Sequence, residues 1–354
     1  MKILLTHERF APDFAGGGEY AVLEIARHLM QNGHSVQVLT VGDPSITSYE
    51  GIATSRLKMH RYSFNFASRT IEEFARDADL IQTFNYNACY ASLAAARRLK
   101  KPIVCTFLGL FGQTWREMRG PVVGRVFEWW ERQLVRLPFD RTIFISDFSR
   151  DLGLELGASP ERSVVNEVGI DLENYRSHFP KDDVVLFVGK IDVRKGIDTI
   201  LDVASRIPNL SFRIVGWGAS AQFKNRAPAN VSFIEFERGE KLWEEFARAK
   251  FFLFPSKAET FGIAIVEAMA SGCAVISTIP LDFEGVHLSD GDPDRIANEI
   301  IRLSNDKDEL VRIAQSNVER SKKYSWKRHI QKLETLYQEL LDPSSKSSEA
   351  AEVQ

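Results

Sequence analysis

The stretch KFFLFPSKAETFGIAIVEAMASGCAVIST (250–278) contains two apolar runs separated by a loop and a helical pattern. The first run, 250–256, predicts a buried strand, and the second, 273–278, predicts another. Between them we expect a helix that begins near Phe261. A strand, a helix and a second strand form the crossover unit of a parallel sheet. This segment therefore predicts an α/β fold, with the loop before the helix at the carboxyl end of a strand.

The same alternation runs through the chain in two halves. Strands are predicted at 2–7, 35–41, 78–84, 102–108 and 141–146, and the pattern restarts with strands at 183–190, 211–218 and 230–236. We predict two doubly wound Rossmann-like domains, because alternating strands and helices indicate parallel sheets covered on both faces. The predicted parts are a first domain at 1–172, a second at 173–325, a helix at 326–342 that packs back on the first domain, and a disordered tail at 343–354.

Composition narrows the class of protein. Hydrophobic residues make up 44% of the chain and charged residues 26%, which is typical of a soluble globular protein. The net charge of −3 gives no indication of nucleic-acid binding. The three cysteines are far apart and lack metal or redox spacing, which favours a reducing compartment. We read no signal peptide at the N-terminus and expect a cytoplasmic protein.

Two glutamates, Glu259 and Glu267, lie eight positions apart in an otherwise apolar stretch. A buried carboxylate is costly unless something compensates its charge. Either these carboxylates are paired within the protein, or they bind a ligand. A carboxylate can accept hydrogen bonds from two vicinal hydroxyls at once, which suits a ribose or a sugar.

Two other stretches favour phosphate binding. Gly16 and Gly17 follow the first predicted strand and open a helix, where free N–H groups and the helix dipole attract anions. The alternative is a flexible turn. Lys190, Arg194 and Lys195 follow the strand at 183–190 and form a cluster of the size of a diphosphate. The alternative for this cluster is a solvated basic turn.

These stretches together resemble the retaining GT-B glycosyltransferases of family 4, the glycosyl transferases group 1. PSKAETFGIAIVEAMASGCAVIST (255–278) is similar to the E-x7-E segment of that family, and FVGKIDVRKG (187–196) to its GR…KG loop. GGGEYAVLEIARHLMQNGHSVQVLT (16–40) resembles the N-terminal glycine loop and first helix. The similarity covers about residues 1–335. It implies the GT-B fold, in which two Rossmann-like domains face a central cleft.

The resemblance also implies roles for the candidate residues. In the family the first glutamate contacts the donor sugar, the second holds the ribose, and a basic pair neutralises the diphosphate. The predicted catalytic residues are Glu259, Lys190 and Lys195. The predicted donor-binding residues are Gly16, Gly17, Arg194, Phe261, Gly262, Ile263 and Glu267.

The implied reaction is metal-independent, retaining transfer of a hexosyl unit from a UDP- or GDP-sugar to a sugar or lipid-linked acceptor, without a further cofactor. A non-catalytic binding subunit and a phosphorylase of the same fold remain alternatives. Leu108 stands where many relatives carry a histidine, and the loop at 279–292 is shorter than usual in the family. Both features concern the pocket near the sugar.

Two further stretches have two interpretations each. The acidic turn SDGDPD (289–294) could bind a metal–diphosphate, but we favour a helix cap near Asp294. The segment at 120–137 predicts a basic, tryptophan-bearing helix that either packs only within its own domain or contacts an anionic membrane surface. Membrane contact would make the protein peripheral on the inner face of the membrane.

Overall fold

A computed structural model describes residues 1–13, 16–177, 180–218, 221–288 and 290–342 of the chain. The chain divides into two compact units. The first consists of Met1–Gly169 and the C-terminal helix that begins at Trp326, and the second of Ile170–Ser325. The tail predicted at 343–354 lies outside the described residues.

Each unit is built around one sheet. The strands of the first sheet are β1 (Lys2–Thr6), β2 (Ser35–Val41), β3 (Ser48–Tyr49), β4 (Ile52–Leu57), β5 (Leu80–Phe84), β6 (Ile103–Phe107), β7 (Arg141–Phe144) and β8 (Ser163–Val165). Those of the second are β9 (Asp182–Ile191), β10 (Ser211–Gly218), β11 (Val231–Glu235), β12 (Ala249–Phe254), β13 (Ala274–Ser277) and β14 (Gly285–His287).

Helices connect the strands. Those of the first unit up to Gly169 are α1 (Gly17–Gln31), α2 (Ser68–Ala75), α3 (Cys89–Leu99), α4 (Thr114–Arg119), α5 (Pro121–Val135) and α6 (Asp147–Leu156). The second unit has α7 (Ile197–Arg206), α8 (Ala221–Lys224), α9 (Glu240–Arg248), α10 (Ile263–Ala270), α11 (Pro293–Ser304) and α12 (Lys307–Ser321), and α13 (Trp326–Leu341) returns to the first unit. Within the described part of the chain, no helix has the length and apolar composition that crossing a membrane requires.

Both sheets reverse their strand order beside the first strand of the unit. The orders are β3-β4-β2-β1-β5-β6-β7-β8 and β11-β10-β9-β12-β13-β14. All neighbours pair in parallel except β3 with β4. The reversals lie between β1 and β5 and between β9 and β12. Ligands of such sheets bind outside the carboxyl ends of the strands at these switch points.

The strands predicted from apolar runs are present, while four short strands were not predicted. β3, β4, β8 and β14 are between two and six residues long; β3, β8 and β14 lie at a sheet edge, and β4 lies next to one. A strand with one covered face or one partner needs no continuous apolar run. β4, for example, alternates buried and more exposed residues along its length. Such strands carry a weaker sequence signal than β5, in which every residue is buried.

Helix α13 is anchored in the first unit by buried polar contacts. The Tyr337 hydroxyl donates a hydrogen bond to the side-chain oxygen of Gln82, which lies in the middle of β5. Asn166 donates to the carbonyl of His329 at 3.1 Å, and Nδ1 of His329 lies 2.8 Å from the carbonyl oxygen of Glu167. Trp326 is fully buried at the start of the helix. The helix therefore completes the core of the first unit.

Burial holds His329 in its neutral form. Loss of hydration lowers the pKa of this histidine from 6.5 to about 4, against the hydrogen bond to Glu167. In the unfolded chain His329 binds a proton below pH 6.5, whereas in the folded chain it binds one only below about pH 4. Stability should therefore fall by about 3 kcal/mol between these pH values from this group alone.

We expect His329→Gln to remove this part of the pH dependence, since glutamine stays neutral and can still donate to Glu167. Chemical denaturation at pH 7, 5 and 4 measures it. The exposed His60 provides the control, and His60→Gln should keep the slope of the wild type. Equal slopes for the wild type and His329→Gln would contradict the assignment.

Candidate active site

Two loops of the second unit meet at the switch point of its sheet. One follows β9 and contains a short 3-10 turn at Val193–Lys195, and the other follows β12 and leads into α10. Lys257 N donates to the carbonyl oxygen of Arg194 at 2.8 Å. Gly196 has a positive φ of 75°, and a Cβ on it would lie 2.1 Å from the carbonyl oxygen of Pro255. Only glycine allows the two loops to approach this closely.

A buried ion pair joins the tips of these loops. The Lys195 ammonium donates a hydrogen bond to a carboxylate oxygen of Glu259, and the two side chains are 11% and 18% exposed. The turn that presents Lys195 is capped by Asp192, whose carboxylate accepts from Lys195 N at 3.0 Å. The ammonium also lies 5.1 Å from the centre of the Phe254 ring. Glu259 is thus paired within the protein.

The electrostatics of Glu259 follow from this pairing. Burial alone would raise the pKa of the carboxyl group, but attraction and hydrogen bonding by Lys195, the Thr260 amide and the charge of Arg194 together hold it below 4.5. Glu259 therefore stays ionised, and the pair presents one cation and one anion at the mouth of the β9–β12 switch point.

The three predicted cations do not form one free cluster. Lys190 is about half exposed, and its ammonium lies 3.6 Å from a carboxylate oxygen of Asp192. Arg194 donates to the carbonyl oxygen of Ala258 at 2.8 Å. Lys195 alone of the three is buried against a glutamate. The structure therefore brings Arg194 and Lys195 to Glu259, whereas Lys190 lies at the end of β9 beside Asp192.

Helix α10 begins two residues later than the sequence predicts, at Ile263. Gly262 precedes it with a positive φ of 87°, and this left-handed residue ends the loop and starts the helix. Phe261 is buried and packs edge-on against Tyr324 at 5.7 Å between ring centres. The Ile265 N–H donates to the carbonyl oxygen of Gly262 at 2.8 Å and closes the first turn of the helix. Helix N-termini in general leave N–H groups available to a capping group or ligand, and donor contact at Phe261, Gly262 and Ile263 stays a prediction.

Glu267 lies in the second turn of α10 and is also buried, but its surroundings differ from those of Glu259. The Tyr175 hydroxyl donates to its carboxylate at 2.6 Å. Burial raises the pKa of Glu267 above 4.5, against the attraction of Arg238 and the hydrogen bond from Tyr175. No lysine or arginine forms a close ion pair with it among the described residues. Glu267 is thus a buried carboxylate whose charge is incompletely compensated.

The predicted glycines lie in the first unit. Gly17 is the first residue of α1, and the Gly16 N–H donates to the carboxylate of Glu19 at 2.9 Å. This bond closes the end of the helix from within the chain. The Gly16 amide is therefore already occupied, and phosphate contact by Gly16 and Gly17 stays a prediction.

Sequence reasoning missed a polar group at the switch point of the first unit. Glu8, just after β1, accepts hydrogen bonds from the backbone N–H of Asn87 at 3.0 Å and from the amide of its side chain. Arg61 lies 3.3 Å from the same carboxylate. Asn85 accepts from the backbone N–H of Leu108 at 2.9 Å. Polar residues directly after the predicted strands, in the stretches THE (6–8) and FNYN (84–87), were the available signal.

The acidic turn after β14 acts as a helix cap, as the sequence favours. The Asp292 carboxylate accepts from the backbone N–H groups of Asp294 at 2.8 Å and Arg295 at 3.3 Å. Asp290 forms an ion pair with Arg295, and Asp294 forms one with Arg206. Ser289 lies outside the described residues. The carboxylates of the described part of the turn are therefore used in capping and ion pairing.

Replacement of Lys195 by methionine should destabilise the folded protein, since Glu259 then loses the cation that compensates its charge. We expect a loss of about 3 kcal/mol in the free energy of unfolding at pH 7, because a buried charge is left without its partner. Folding lowers the pKa of Glu259, so the contribution of the pair is complete above pH 4.5 and disappears as the pH falls through the folded-state value. The difference between wild type and Lys195→Met should therefore shrink below pH 4.5.

The double variant Lys195→Met/Glu259→Gln is the control for the pair. It should recover part of the loss, since it removes both charges. Denaturant titration between pH 3 and pH 7 measures all three proteins. A difference between wild type and Lys195→Met that is constant over this range would show that the pair does not carry the effect.

Each of the two units matches a glycosyltransferase family. Residues 173–320 match the family described as Glycosyl transferases group 1, and residues 15–174 match the family described as Glycosyltransferase Family 4. Phosphatidyl-myo-inositol mannosyltransferase of Mycobacterium tuberculosis (strain CDC 1551 / Oshkosh) is 26% identical over 304 residues, which cover 75% of each chain. GDP-mannose:cellobiosyl-diphosphopolyprenol alpha-mannosyltransferase of Xanthomonas campestris is 27% identical over 312 residues, which cover 79% of each chain.

Solved structures show the fold. Sucrose-phosphate synthase from Thermosynechococcus elongatus superimposes with a TM-score of 0.81 at 19% identity, covering 96% of this chain and 98% of its own. HepE from Anabaena, solved in complex with UDP and glucose, gives a TM-score of 0.76 at 18% identity and covers 95% of this chain and 99% of its own. The predicted α/β fold of the GT-B type is confirmed. The chain belongs to the group 1 glycosyltransferases of family 4.

Proposed function

We propose that this glycosyltransferase moves a hexosyl unit, with retention of configuration, from a UDP- or GDP-sugar to a sugar or lipid-linked acceptor in glycan or glycolipid synthesis. The observation that supports it most is the pair of glutamates on either side of the N-terminus of α10, of which Glu259 is partly buried and Glu267 buried. Glu259 is neutralised by Lys195, whereas Glu267 is buried with only partial compensation. The second carboxylate is thus ready to bind a ligand that donates hydrogen bonds.

Glu267 binds the ribose in this proposal. A carboxylate accepts hydrogen bonds from two vicinal hydroxyls, and charged acceptors form the stronger bonds. Tyr175 holds the carboxylate in place from one side. The free energy lost when Glu267 is buried is offset when the ribose hydroxyls pair with it. The selectivity of the site for a nucleotide sugar over a free sugar follows from this pairing.

Lys195 and Lys190 stabilise the leaving diphosphate in this proposal. As the bond between the anomeric carbon and the phosphate oxygen breaks, negative charge grows on the diphosphate, and cations with helix-end N–H groups stabilise it. The amides of Gly262 and Ile263 lie at the start of α10 on the same side. Glu259 positions Lys195 and faces the sugar. The acceptor hydroxyl attacks from the face of the leaving group, and the departing phosphate oxygen takes its proton.

We propose that the transfer needs no metal ion. The lysines and the amides of α10 provide positive charge at the diphosphate. The acidic residues that would attract a cation, Asp290, Asp292 and Asp294, are used in ion pairs and in the cap of α11.

The names of the relatives favour a lipid-linked acceptor. The mycobacterial relative is named for phosphatidyl-myo-inositol and the Xanthomonas relative for cellobiosyl-diphosphopolyprenol. We propose an acceptor of this amphiphilic class, met by a cytoplasmic protein at the inner face of the membrane. In the first unit, Val122 on α5 is 73% exposed, Trp129 on the same helix 61%, and Phe66 87%. Arg125 lies on α5 and Arg119 at the end of the preceding helix α4, and such a surface suits anionic lipid.

The donor assignment is tested by calorimetric titration of UDP-, GDP- and ADP-sugars. We expect one donor to bind with micromolar affinity and Glu267→Gln to weaken it about tenfold or more, because charged hydrogen bonds are worth about 1.5–3 kcal/mol. The same variant should be at least as stable as the wild type at pH 7. Folding raises the pKa of Glu267, so the ionised carboxylate destabilises the folded state above pH 4.5.

Glu245→Gln is the matched control for this titration. Glu245 is a partly buried glutamate of the second unit that is paired with Arg213, and its variant should bind the donor normally. If no nucleotide sugar binds the wild type at millimolar concentration, the donor-site assignment fails. If a donor binds but is neither transferred nor hydrolysed in the presence of acceptors, a non-catalytic binding subunit becomes the better explanation. Release of sugar phosphate with inorganic phosphate would indicate a phosphorylase.

Membrane contact is tested by co-sedimentation with phosphatidylglycerol and phosphatidylcholine vesicles. We expect binding to the anionic vesicles that weakens with salt, and a loss of about tenfold or more in Trp129→Glu, because this change removes an exposed apolar ring and adds a repelled charge. Val311→Glu is the control, since Val311 is an exposed apolar residue of α12 in the second unit. Equal binding of both variants to anionic vesicles would refute a role for α5.

A further inference from the structure

An apolar cavity lies in the first unit, beside α5. It has a volume of about 530 Å³, which is within the range of small-molecule sites. Its walls come from the 3-10 turn at Arg61–Phe66, from α3 and from α5. The lining residues are mostly aromatic, and those other than the two asparagines are Tyr62, Phe66, Tyr90, Val126, Phe127, Trp129 and Trp130.

The α5 wall of the cavity is held in place from behind. Trp130 packs against the Tyr86 ring at 5.5 Å between ring centres. The Tyr86 hydroxyl in turn donates to the buried carboxylate of Glu131 at 2.7 Å. Glu131 also accepts from the Gly112 N–H at 2.8 Å. The wall is therefore pre-formed, which lowers the cost of binding a ligand.

One end of the cavity is polar. Asn87 lines it, and the side chain of Asn87 donates to Glu8 at the switch point of the first sheet. Asn65, also in the lining, donates to the side-chain oxygen of Asn87 at 3.0 Å. Among the described residues, the side-chain oxygen of Asn65 is buried without a hydrogen-bond partner. A buried acceptor of this kind requires a donor, and a ligand with a hydroxyl can provide it.

We infer that this cavity binds the hydrocarbon chain of a single amphiphilic acceptor, with the chain between α5 and the Arg61–Phe66 turn and the head group at Asn65, Asn87 and Glu8. The inference rests on the proposed function and adds to it the place and the class of the acceptor. The lining offers a continuous apolar surface to a hydrocarbon chain and few hydrogen-bond partners, besides Asn65 and Asn87, to the hydroxyls of a sugar. The polar end gives the amphiphile its direction, with the hydroxyl-bearing head toward the carboxyl end of β1.

Contact quenching by a brominated chain tests the inference directly, because Trp129 and Trp130 line the cavity. Brominated dodecyl maltoside, titrated below its critical micelle concentration, should quench tryptophan fluorescence in a saturable way. Unbrominated dodecyl maltoside should relieve the quenching, and maltose should not. Val126→Phe fills part of the cavity and should weaken probe binding about fivefold, which corresponds to about 1 kcal/mol of lost apolar contact.

Val123→Phe is the matched control, since Val123 is exposed on the same helix but does not line the cavity. It should bind the probe like the wild type. If Val126→Phe also binds like the wild type, the cavity does not hold the chain. If both variants bind more tightly, the probe partitions onto the exposed helix face, and this also overturns the inference. Circular dichroism confirms that each variant is folded.

The donor titration is run on the same proteins to separate the two proposals. Normal nucleotide-sugar binding with no saturable quenching would refute the chain-binding cavity and leave the proposed function intact. Saturable quenching with no nucleotide-sugar binding would refute the donor assignment and leave an amphiphile-binding protein.

Discussion

The order of the strands in the second sheet determines where the candidate donor site lies. β9 and β12 are neighbours, but the chain leaves them in opposite directions, toward β10 on one side and β13 on the other. The loops that follow these strands lie at this switch point, where ligands of such sheets bind, and the Lys195–Glu259 pair joins them. Every candidate donor-binding residue of the second unit lies on one of these loops or on α10. Gly196, packed against Pro255, fixes how closely the loops approach at their base.

The two glutamates of the second unit, Glu259 and Glu267, have opposite electrostatic environments. Lys195 compensates Glu259 and keeps its pKa low. Glu267 lies within α10, where Tyr175 provides one hydrogen bond and burial raises the pKa of the carboxyl group. The first is a structural and positioning pair as well as a candidate contact to the sugar. The second retains free hydrogen-bonding capacity in a buried place, which is a feature typical of binding sites.

The first unit also carries polar residues at the switch point of its sheet, but their surroundings differ from those in the second unit. Its switch point carries Glu8 and Asn87, which bind each other, and an aromatic cavity adjoins them. A polar group next to an apolar cavity fits an amphiphilic molecule better than a free sugar. The exposed apolar residues on α5, with basic residues in the same helix, favour the same class of acceptor. The two units thus present different chemistry on related sheets, with two carboxylates beside a lysine in one and an aromatic cavity beside a polar group in the other.

The sequence by itself determined the alternation of strands and helices, the repetition of that plan in two halves, and the family. These features depend on apolar periodicity and on local motifs such as the E-x7-E segment, which neighbouring residues along the chain establish. The short strands β3, β8 and β14 and the two-residue shift at the start of α10 were not predicted, because edge pairing and the left-handed Gly262 leave weak local signals.

Only the tertiary structure decided which charges meet. Lys195 and Glu259 are 64 positions apart, and nothing local distinguishes Lys195 from Lys190 or Arg194 as the partner. Glu8 and Asn87 are 79 positions apart and meet because β1 and β5 are neighbours in the sheet. The aromatic cavity likewise requires α5 to pack beside a turn more than fifty residues earlier. The charge pairs and the aromatic cavity both depend on contacts between parts of the chain that are distant in sequence. The physical reason is that the packing of strands and helices, and not proximity along the chain, sets the distances between these residues.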